Sequence, residues 1–367
     1  MSKIAIFLTA LDGGGAERVM LNLARGFVAS GMDVDLLLVK AEGVYTSQIP
    51  EGVKVIDFQQ NRLLASIFSL KNYLQNQQPQ ALLTALDTNV IAAWLRRYGS
   101  VSTTTIVTVH NNLSLESRNA KSIKRKLTAR FARWFYGWAD SIVAVSQGVA
   151  KDSIELGLPK DKVEVIYNPI ITSELIQKLQ ERDRLNHPWF AADKPPVILA
   201  VGRLNEQKDF PTLIRAFAKV RQQQPAKLMI LGEGEERSAL ETLISELEIS
   251  EDVALPGFVD NPYIYMANAA VLVLSSAWEG FGNVLVEAMA AGTPVVSTNC
   301  ESGPTEILAD GKYGDLVDVG DIDSMAEKIF HTMQQIPQSE VLEKRASEFS
   351  LERAVAKYSS LVPPSDI

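Results

Sequence analysis

The sequence predicts an α/β protein made of two doubly wound halves, each a parallel sheet covered by helices. Three observations carry this. Apolar runs of strand length alternate with longer stretches at helical spacing along most of the chain. A break in composition begins at Asn168-Pro169 and continues through His187-Pro188 and Pro195-Pro196. Each half carries a Gly-rich turn after its first or second strand, and 367 residues suffice for two cores.

In the first half, strands are expected at residues 4–9, 34–39, 53–57, 81–84, 105–109, 142–145 and 163–166. After the first comes the loop Asp12-Gly13-Gly14-Gly15, then a helix from Ala16 to about Ser30, with Val19, Leu23 and Phe27 on one face. The apolar stretch 3–8 resembles a signal-peptide core, but it is short and runs into glycines, so it is read as the first strand. The second half repeats the pattern with strands at 197–201, 227–231, 253–255, 270–274, 294–297 and 315–317. The expected domains are 1–168 and 197–350, joined by a linker at 169–196. A last helix near 351–361 can close on either domain and is placed back toward the first. No apolar run approaches the roughly 20 residues of a membrane span.

Composition narrows the function. A net charge of −8 argues against a nucleic-acid binder. Hydrophobic content of 46% and charged content of 22% are ordinary for a soluble globular protein. The single cysteine, Cys300, excludes an internal disulfide and fits a reducing cytoplasm. Nothing nearby marks an activated thiol, so Cys300 reads as a small, half-buried residue after a strand.

The chain is organised around residues 275–294. The apolar run 270–274 enters it as a buried strand, a Gly-rich turn follows, Asn283 can cap a helix, and Gly292 with Pro294 stops that helix. Glu279 then lies in the loop and Glu287 about one turn into the helix. Ligands of open α/β sheets bind at the carboxyl ends of strands, beside helix N-termini, so both carboxylates can face a ligand carrying anionic and hydroxyl groups.

Three other places carry chemistry. Gly13-x-Gly15-x-x-Arg18 nearly matches a dinucleotide fingerprint, but arginine replaces the third glycine. The acid expected at the end of the second strand is also missing, since Lys40 stands there and Asp33 and Asp35 lie at or near its beginning. A dehydrogenase reading fails, while anion binding by the loop's amides survives beside the plainer role of a tight turn. Arg203 and Lys208 follow the first strand of the second half, where two cations can grip a diphosphate, although a solvated pair is the bland alternative. His110 ends the strand 105–109 and points to the ligand side, or is a hydrogen-bonded structural histidine. The Asp-x-Asp pairs at Asp33 and Asp321 sit wrongly for a phosphate-bound cation, and no clustered His/Cys set suits zinc, so no metal or other cofactor is expected.

From Arg118 to Arg133 the sequence has seven Lys or Arg, including Lys121, Lys124, Arg125 and Lys126, and no acid. Leu127, Phe131, Trp134, Phe135 and Trp138 share the stretch. Two readings stand together: a basic amphipathic helix on an anionic membrane surface, or an aromatic face packed on the sheet with solvated charges.

These residues resemble glycosyltransferase family 4 over nearly the whole chain. The most specific piece runs from Glu279-Gly280-Phe281-Gly282-Asn283 to Glu287 and on through Gly292-Thr293-Pro294. It is supported by Gly13-Gly14-Gly15-Ala16-Glu17-Arg18, Val201-Gly202-Arg203-Leu204, Leu231-Gly232-Glu233-Gly234, Leu255-Pro256-Gly257-Phe258 and Ser302-Gly303-Pro304-Thr305-Glu306. The resemblance implies the GT-B fold, two Rossmann-like domains facing across a cleft, and a retaining, metal-independent hexosyltransferase using a nucleotide diphosphate sugar, with UDP expected. It implies that Arg203 and Lys208 hold the donor's diphosphate and that Glu287 binds the ribose. Glu279 would bind a donor-sugar hydroxyl, and His110 would reach that sugar from the other domain. Amides of Gly14 and Gly15, and of Gly280, Phe281, Gly282 and Asn283, would meet phosphate or sugar, and Gly257 with Phe258 would line the base. The expected acceptor is a lipid-linked or envelope glycan, with the enzyme peripheral on the inner face of the cell membrane. Alternatives are a glycolipid or small-molecule acceptor, or an idle nucleotide-sugar-binding partner subunit.

Overall fold

The protein is described by a computed structural model, which covers residues 2–119 and 126–363. It divides into two compact units, residues 1–169 with 351–367 and residues 170–350.

The first unit is built on seven parallel strands: β1 (Lys3–Leu8), β2 (Asp33–Leu38), β3 (Val53–Asp57), β4 (Ala81–Ala85), β5 (Thr104–Val109), β6 (Ser141–Ala144) and β7 (Val163–Val165). Their order is β3-β2-β1-β4-β5-β6-β7. Ile4 pairs with Val34 on one side and Ala81 on the other. Both faces of β1 are buried, which is why it reads as a continuous apolar run. Ile4, Ile6 and Leu8 belong to one core cluster, and Ala5 and Phe7 to the opposite one. The helix Gly15–Ala29 returns over the first face with Val19, Leu23 and Phe27 fully or nearly buried.

The C-terminal helix Leu351–Ser360 packs on that same helix. Tyr358 meets Phe27 edge-on at 6.5 Å between ring centres. A Cβ on Gly26 would come within 2.4 Å of Val355, so only glycine allows this approach.

The second unit has six parallel strands: β8 (Val197–Val201), β9 (Lys227–Leu231), β10 (Val253–Gly257), β11 (Val271–Leu274), β12 (Val295–Thr298) and β13 (Asp315–Val317), in the order β10-β9-β8-β11-β12-β13. Its core gathers Phe210, Leu213 and Phe217 from the helix Phe210–Gln223 with Ile198, Ile230 and Val273 from the sheet.

The stretch expected as a linker is part of this unit. The helix Ser173–Leu179 is capped by Thr172, whose hydroxyl accepts from Leu175 N at 3.1 Å. It packs beside the helix Tyr263–Asn268. Asn261 and Asn268 donate to the carbonyls of Lys178 and Arg182 at 3.3 and 3.0 Å. A polar sequence therefore finds its partners in side-chain amides rather than in an apolar face, a signal that periodicity misses. Among the described residues, no helix is long and apolar enough to cross a membrane.

Candidate active site

In each sheet the strand order reverses once, between β1 and β4 in the first unit and between β8 and β11 in the second. Ligand crevices of open sheets form at such reversals.

In the second unit, the loops after β8 and β11 are laced together. Gln207 O accepts from Ala277 N at 2.8 Å. Gln207 Nε2 donates to Trp278 O at 3.0 Å. Ser275 Oγ donates to Lys208 O at 2.7 Å. These bonds bring Lys208 Nζ to 2.5 Å from Glu279 Oε1, and Ser276 Oγ donates to the same oxygen at 2.7 Å. The Glu279 side chain is only 9% exposed and that of Lys208 17%, so each charge answers the desolvation of the other. Lys208 and Glu279, which the sequence assigned to diphosphate and sugar separately, are thus ion-paired to each other. Arg203 is exposed and makes no ion pair among the described residues.

Close backbone approaches hold this lattice. A Cβ on Gly202 would touch the Lys208 stem, Cε at 3.1 Å. One on Gly232 would lie 2.0 Å from Gly202 O, and one on Gly303 1.9 Å from Phe281 O. Gly257 lies under Glu233, which Arg237 grips at 2.7 and 2.9 Å while also donating to Leu255 O at 3.0 Å. Phe258, next in the chain, is 52% exposed.

The helix Asn283–Ala290 places Glu287 one turn in, where it is buried. Two expectations change here. The helix is capped by Gly282, not Asn283: the backbone needs φ +99° at that point, a conformation glycine adopts without strain. Gly280 is buried beside it, and Asn283 becomes the first helical residue. The Phe281 ring is 2% exposed and meets Phe349 at 5.4 Å, so this side chain belongs to the core and only its backbone is left for a ligand. Asp209 stands at the cap of the helix Phe210–Gln223 in a left-handed conformation and accepts from the Thr212 hydroxyl at 2.7 Å. Cys300 is fully buried rather than half-buried, and desolvation, reinforced by the Glu279 charge, pushes its thiol up to about 12, which makes it inert.

The first unit's reversal carries hydroxyls and an amide, with the Glu17 carboxylate in its glycine loop. Thr88 Oγ1 lies 3.0 Å from Phe7 O and 2.7 Å from Ala85 O, tying β1 to the loop after β4. In the glycine loop, the Gly14 N–H donates to Glu17 Oε2 at 2.5 Å. The amide offered to a phosphate is therefore held by the chain's own carboxylate, a local capping bond with the same chemistry. Gly15 opens the helix behind it.

His110 has a defined proton. Thr108 Oγ1 donates to Thr84 O at 2.7 Å, which uses its only hydrogen. Its 2.9 Å contact with His110 Nε2 then requires the imidazole to donate, leaving the lone pair on Nδ1. Thr84 Oγ1 and Asn89 Nδ2 complete the chain, bonding Asn89 Oδ1 and Thr108 O at 2.6 and 2.8 Å. Desolvation lowers the His110 pKa to about 4, so the ring is neutral at pH 7. Ser276, Gln207, Thr108, Thr84 and Asn89 went unnoticed in the sequence because a single hydroxyl or amide at a strand end carries no pattern.

Of the expected membrane contacts, Lys121, Lys124 and Arg125 lie outside the described residues, and Lys126 is exposed.

Two doubly wound parallel sheets with polar loops gathered at their reversals define a two-domain, Rossmann-like protein of the GT-B class. The family described as Glycosyltransferase Family 4 matches residues 13–174, and that described as Glycosyl transferases group 1 matches residues 181–349. A Campylobacter jejuni protein is 32% identical over 89% of this chain and 88% of its own length. It is the N-acetylgalactosamine-N,N'-diacetylbacillosaminyl-diphospho-undecaprenol 4-alpha-N-acetylgalactosaminyltransferase. A lipopolysaccharide core biosynthesis glycosyltransferase of Rhizobium meliloti is 30% identical over 94% of this chain and 92% of its own. Among solved structures, an Anabaena protein, HepE in complex with UDP, superposes with a TM-score of 0.72 at 21% identity, covering 98% of this chain and 99% of that one. The chain belongs to glycosyltransferase family 4.

Proposed function

We propose that the protein transfers a hexose or N-acetylhexosamine from a UDP-sugar to a lipid-linked or envelope glycan, with retention of configuration and without a metal ion. The observation that carries this reading is the Lys208–Glu279 pair beside exposed Arg203 at the second unit's strand reversal. The leaving group is a nucleotide diphosphate, and these cations stabilise its developing charge. Glu279 is freed toward a donor-sugar hydroxyl as Lys208 turns to phosphate, and Glu287 anchors the ribose. Gly257 and Phe258 line the base, and amides of residues 280–283 and of Gly15, with that of Gly14 once Glu17 releases it, meet phosphate or sugar. His110, neutral and with its lone pair on Nδ1, accepts a hydrogen bond from the donor sugar. UDP is favoured because the Anabaena fold relative is in complex with it, and a lipid-linked acceptor because the Campylobacter relative's name specifies one. Lys121, Lys124, Arg125 and Lys126 would hold the enzyme at the inner membrane face.

A thermal-shift screen of nucleotide sugars tests the donor. The true donor stabilises the fold by about 2.7 kcal/mol at a hundred times its Kd. Stabilisation by no UDP-sugar would refute the donor assignment. Turnover that survives chelation supports a metal-free site, and turnover abolished by chelation and restored by a divalent cation would overturn it.

A further inference from the structure

We propose that Arg345 is a positioning residue for the donor site, holding the turn of residues 280–283 from behind. This rests on the donor reading of that turn given above, and it names a residue that the reading does not use.

Arg345 ends a helix that runs beside the site. The helix Ser339–Ala346 packs along the helix Asn283–Ala290. At its start, Ser339 Oγ donates to Gly292 O at 2.8 Å, just past the end of the site helix. Near its end stands Arg345, with its side chain 15% exposed. Nε donates to Ile307 O at 3.0 Å and Nη2 to Glu306 O at 2.6 Å. These carbonyls belong to the helix Pro304–Leu308, whose five residues are too few to satisfy its own C-terminus. The guanidinium also lies over the rings of Phe349 and Tyr313, at 5.1 and 5.3 Å from their centres. Nη1 meets Glu348 Oε2 at 2.5 Å, but that carboxylate is 44% exposed, so the carbonyls and rings carry most of the hold.

Both grips lead to the turn. Ile307, held by its carbonyl, brings Cδ1 to 3.7 Å from the place a Cβ on Gly282 would take. Gly303, just before the same short helix, backs directly onto Phe281 O. Phe349 is buried and meets the Phe281 ring edge-on at 5.4 Å. Its backbone is fixed as well, since its carbonyl accepts from Ile170 N and Ile171 N at 3.0 and 3.1 Å. Gly282 has no side chain with which to wedge the turn, so the position of the turn depends on these neighbours. A planar fork that spans two consecutive carbonyls, with a flat face for two rings, is a property of arginine; a lysine ammonium is a point charge.

Two measurements on the full-length protein test this, each made well below the melting temperature of every variant. Hydrogen exchange of the unliganded protein follows peptides covering residues 278–290, and calorimetric titration with UDP gives affinity. In Arg345→Met the amides of the turn should exchange about tenfold faster or more, while the helix Phe210–Gln223 keeps wild-type protection. Its UDP affinity should fall about tenfold, because a small displacement of binding groups is costly. Arg345→Lys should fall between Arg345→Met and wild type, and Lys344→Ala, at an exposed neighbour, should match wild type. Phe349→Leu removes the ring but not the guanidinium and should weaken UDP in the same way, so it decides the matter if Arg345→Met does not fold. Wild-type exchange and wild-type UDP affinity in both Arg345→Met and Phe349→Leu would overturn the proposal. Protection lost evenly over the second unit, with UDP affinity unchanged, would also overturn it by making Arg345 purely structural. UDP that fails to bind even the wild type would sink the donor reading instead, and the exchange data alone would then decide whether Arg345 holds the turn.

Discussion

The loops after β8 and β11 close over an ion pair, whereas those after β1, β4 and β5 close over hydroxyls, an amide and an imidazole, with the carboxylates of Glu17 and Asp152 accepting from backbone N–H groups. The scaffold is shared: parallel sheets, one reversal of strand order, glycine-mediated close approaches. The difference is electrostatic. Lys208 and Glu279 retain charge in a mostly desolvated place because each has the other at 2.5 Å. Among the described residues His110 has no carboxylate partner, so desolvation leaves it neutral. The second unit therefore holds a paired charge at its reversal, and the first holds at His110 a neutral hydrogen-bonding group of fixed polarity.

The sharpest way to break this comparison is Lys208→Ala. It leaves Glu279 with Ser276 Oγ at 2.7 Å but without a cation. Loss of an electrostatic stabiliser at a reacting phosphate lowers turnover by roughly 10²–10³-fold, and the unpaired carboxylate costs about 3–5 kcal/mol of stability. Both are read from steady-state kinetics and thermal melts. The double variant Lys208→Ala with Glu279→Gln should regain much of the stability and none of the turnover. Recovery of turnover would mean that the pair is structural.

Next in size is the backbone lattice that carries the pair. Gly303→Ala puts a Cβ 1.9 Å from Phe281 O at φ +89°, which forces the 281–283 turn to shift. We expect a loss of about 2–4 kcal/mol in denaturant titration, with weakened donor stabilisation. Gly320→Ala is the control, with φ +79° and nothing within 4 Å, and it should cost about 1 kcal/mol. Equal losses would show that left-handed strain, not backbone contact, makes these glycines necessary.

Much of this architecture was legible in the sequence, for a physical reason. Strands buried on both faces appear as continuous apolar runs, so β1, β8 and β11 stand out unaided. Strand ends beside helix starts are where open sheets place ligands, and that rule drew Glu279, Glu287, Arg203, Lys208 and His110 from the sequence as candidates. What was illegible depends on tertiary partners. Nothing local tells that Lys208 pairs with Glu279 across 71 positions. Nor does the sequence distinguish the buried ring of Phe281 from the exposed ring of Phe258. The Gly282 cap was misread as Asn283 because both residues are good caps, and only the backbone angle decides.

A milder test separates charge from position within the second unit. Arg203 is exposed, so Arg203→Ala should leave stability within about 0.5 kcal/mol of wild type. As a forked phosphate ligand it should nonetheless cost roughly 10–100-fold in kcat/KM. Isothermal titration with the nucleoside diphosphate reads the same loss as affinity. Unchanged affinity would remove Arg203 from the diphosphate grip and leave Lys208 as the cation at issue.

The smallest effect probes the neutral side. His110 has a folded pKa of about 4, below its ordinary 6.5, so the unfolded chain takes up a proton first as pH falls. Stability contributed by the neutral ring is complete above about pH 6.5, declines between about 6.5 and 4, and is flat below. The term amounts to roughly 1–3 kcal/mol, discounted because the ring is not wholly enclosed. It is measured as the difference between wild type and His110→Gln in chemical denaturation across that window. Thr108→Val removes the acceptor for Nε2–H, while Thr108→Ser keeps it. With only three histidines in the chain, ¹⁵N imidazole spectra can follow the tautomer directly. We expect the Nε2–H form in wild type and in Thr108→Ser, and a mixture in Thr108→Val with a several-fold lower kcat. A wild-type spectrum showing the Nδ1–H form would reverse the polarity assigned to His110 and with it the contrast between the two units.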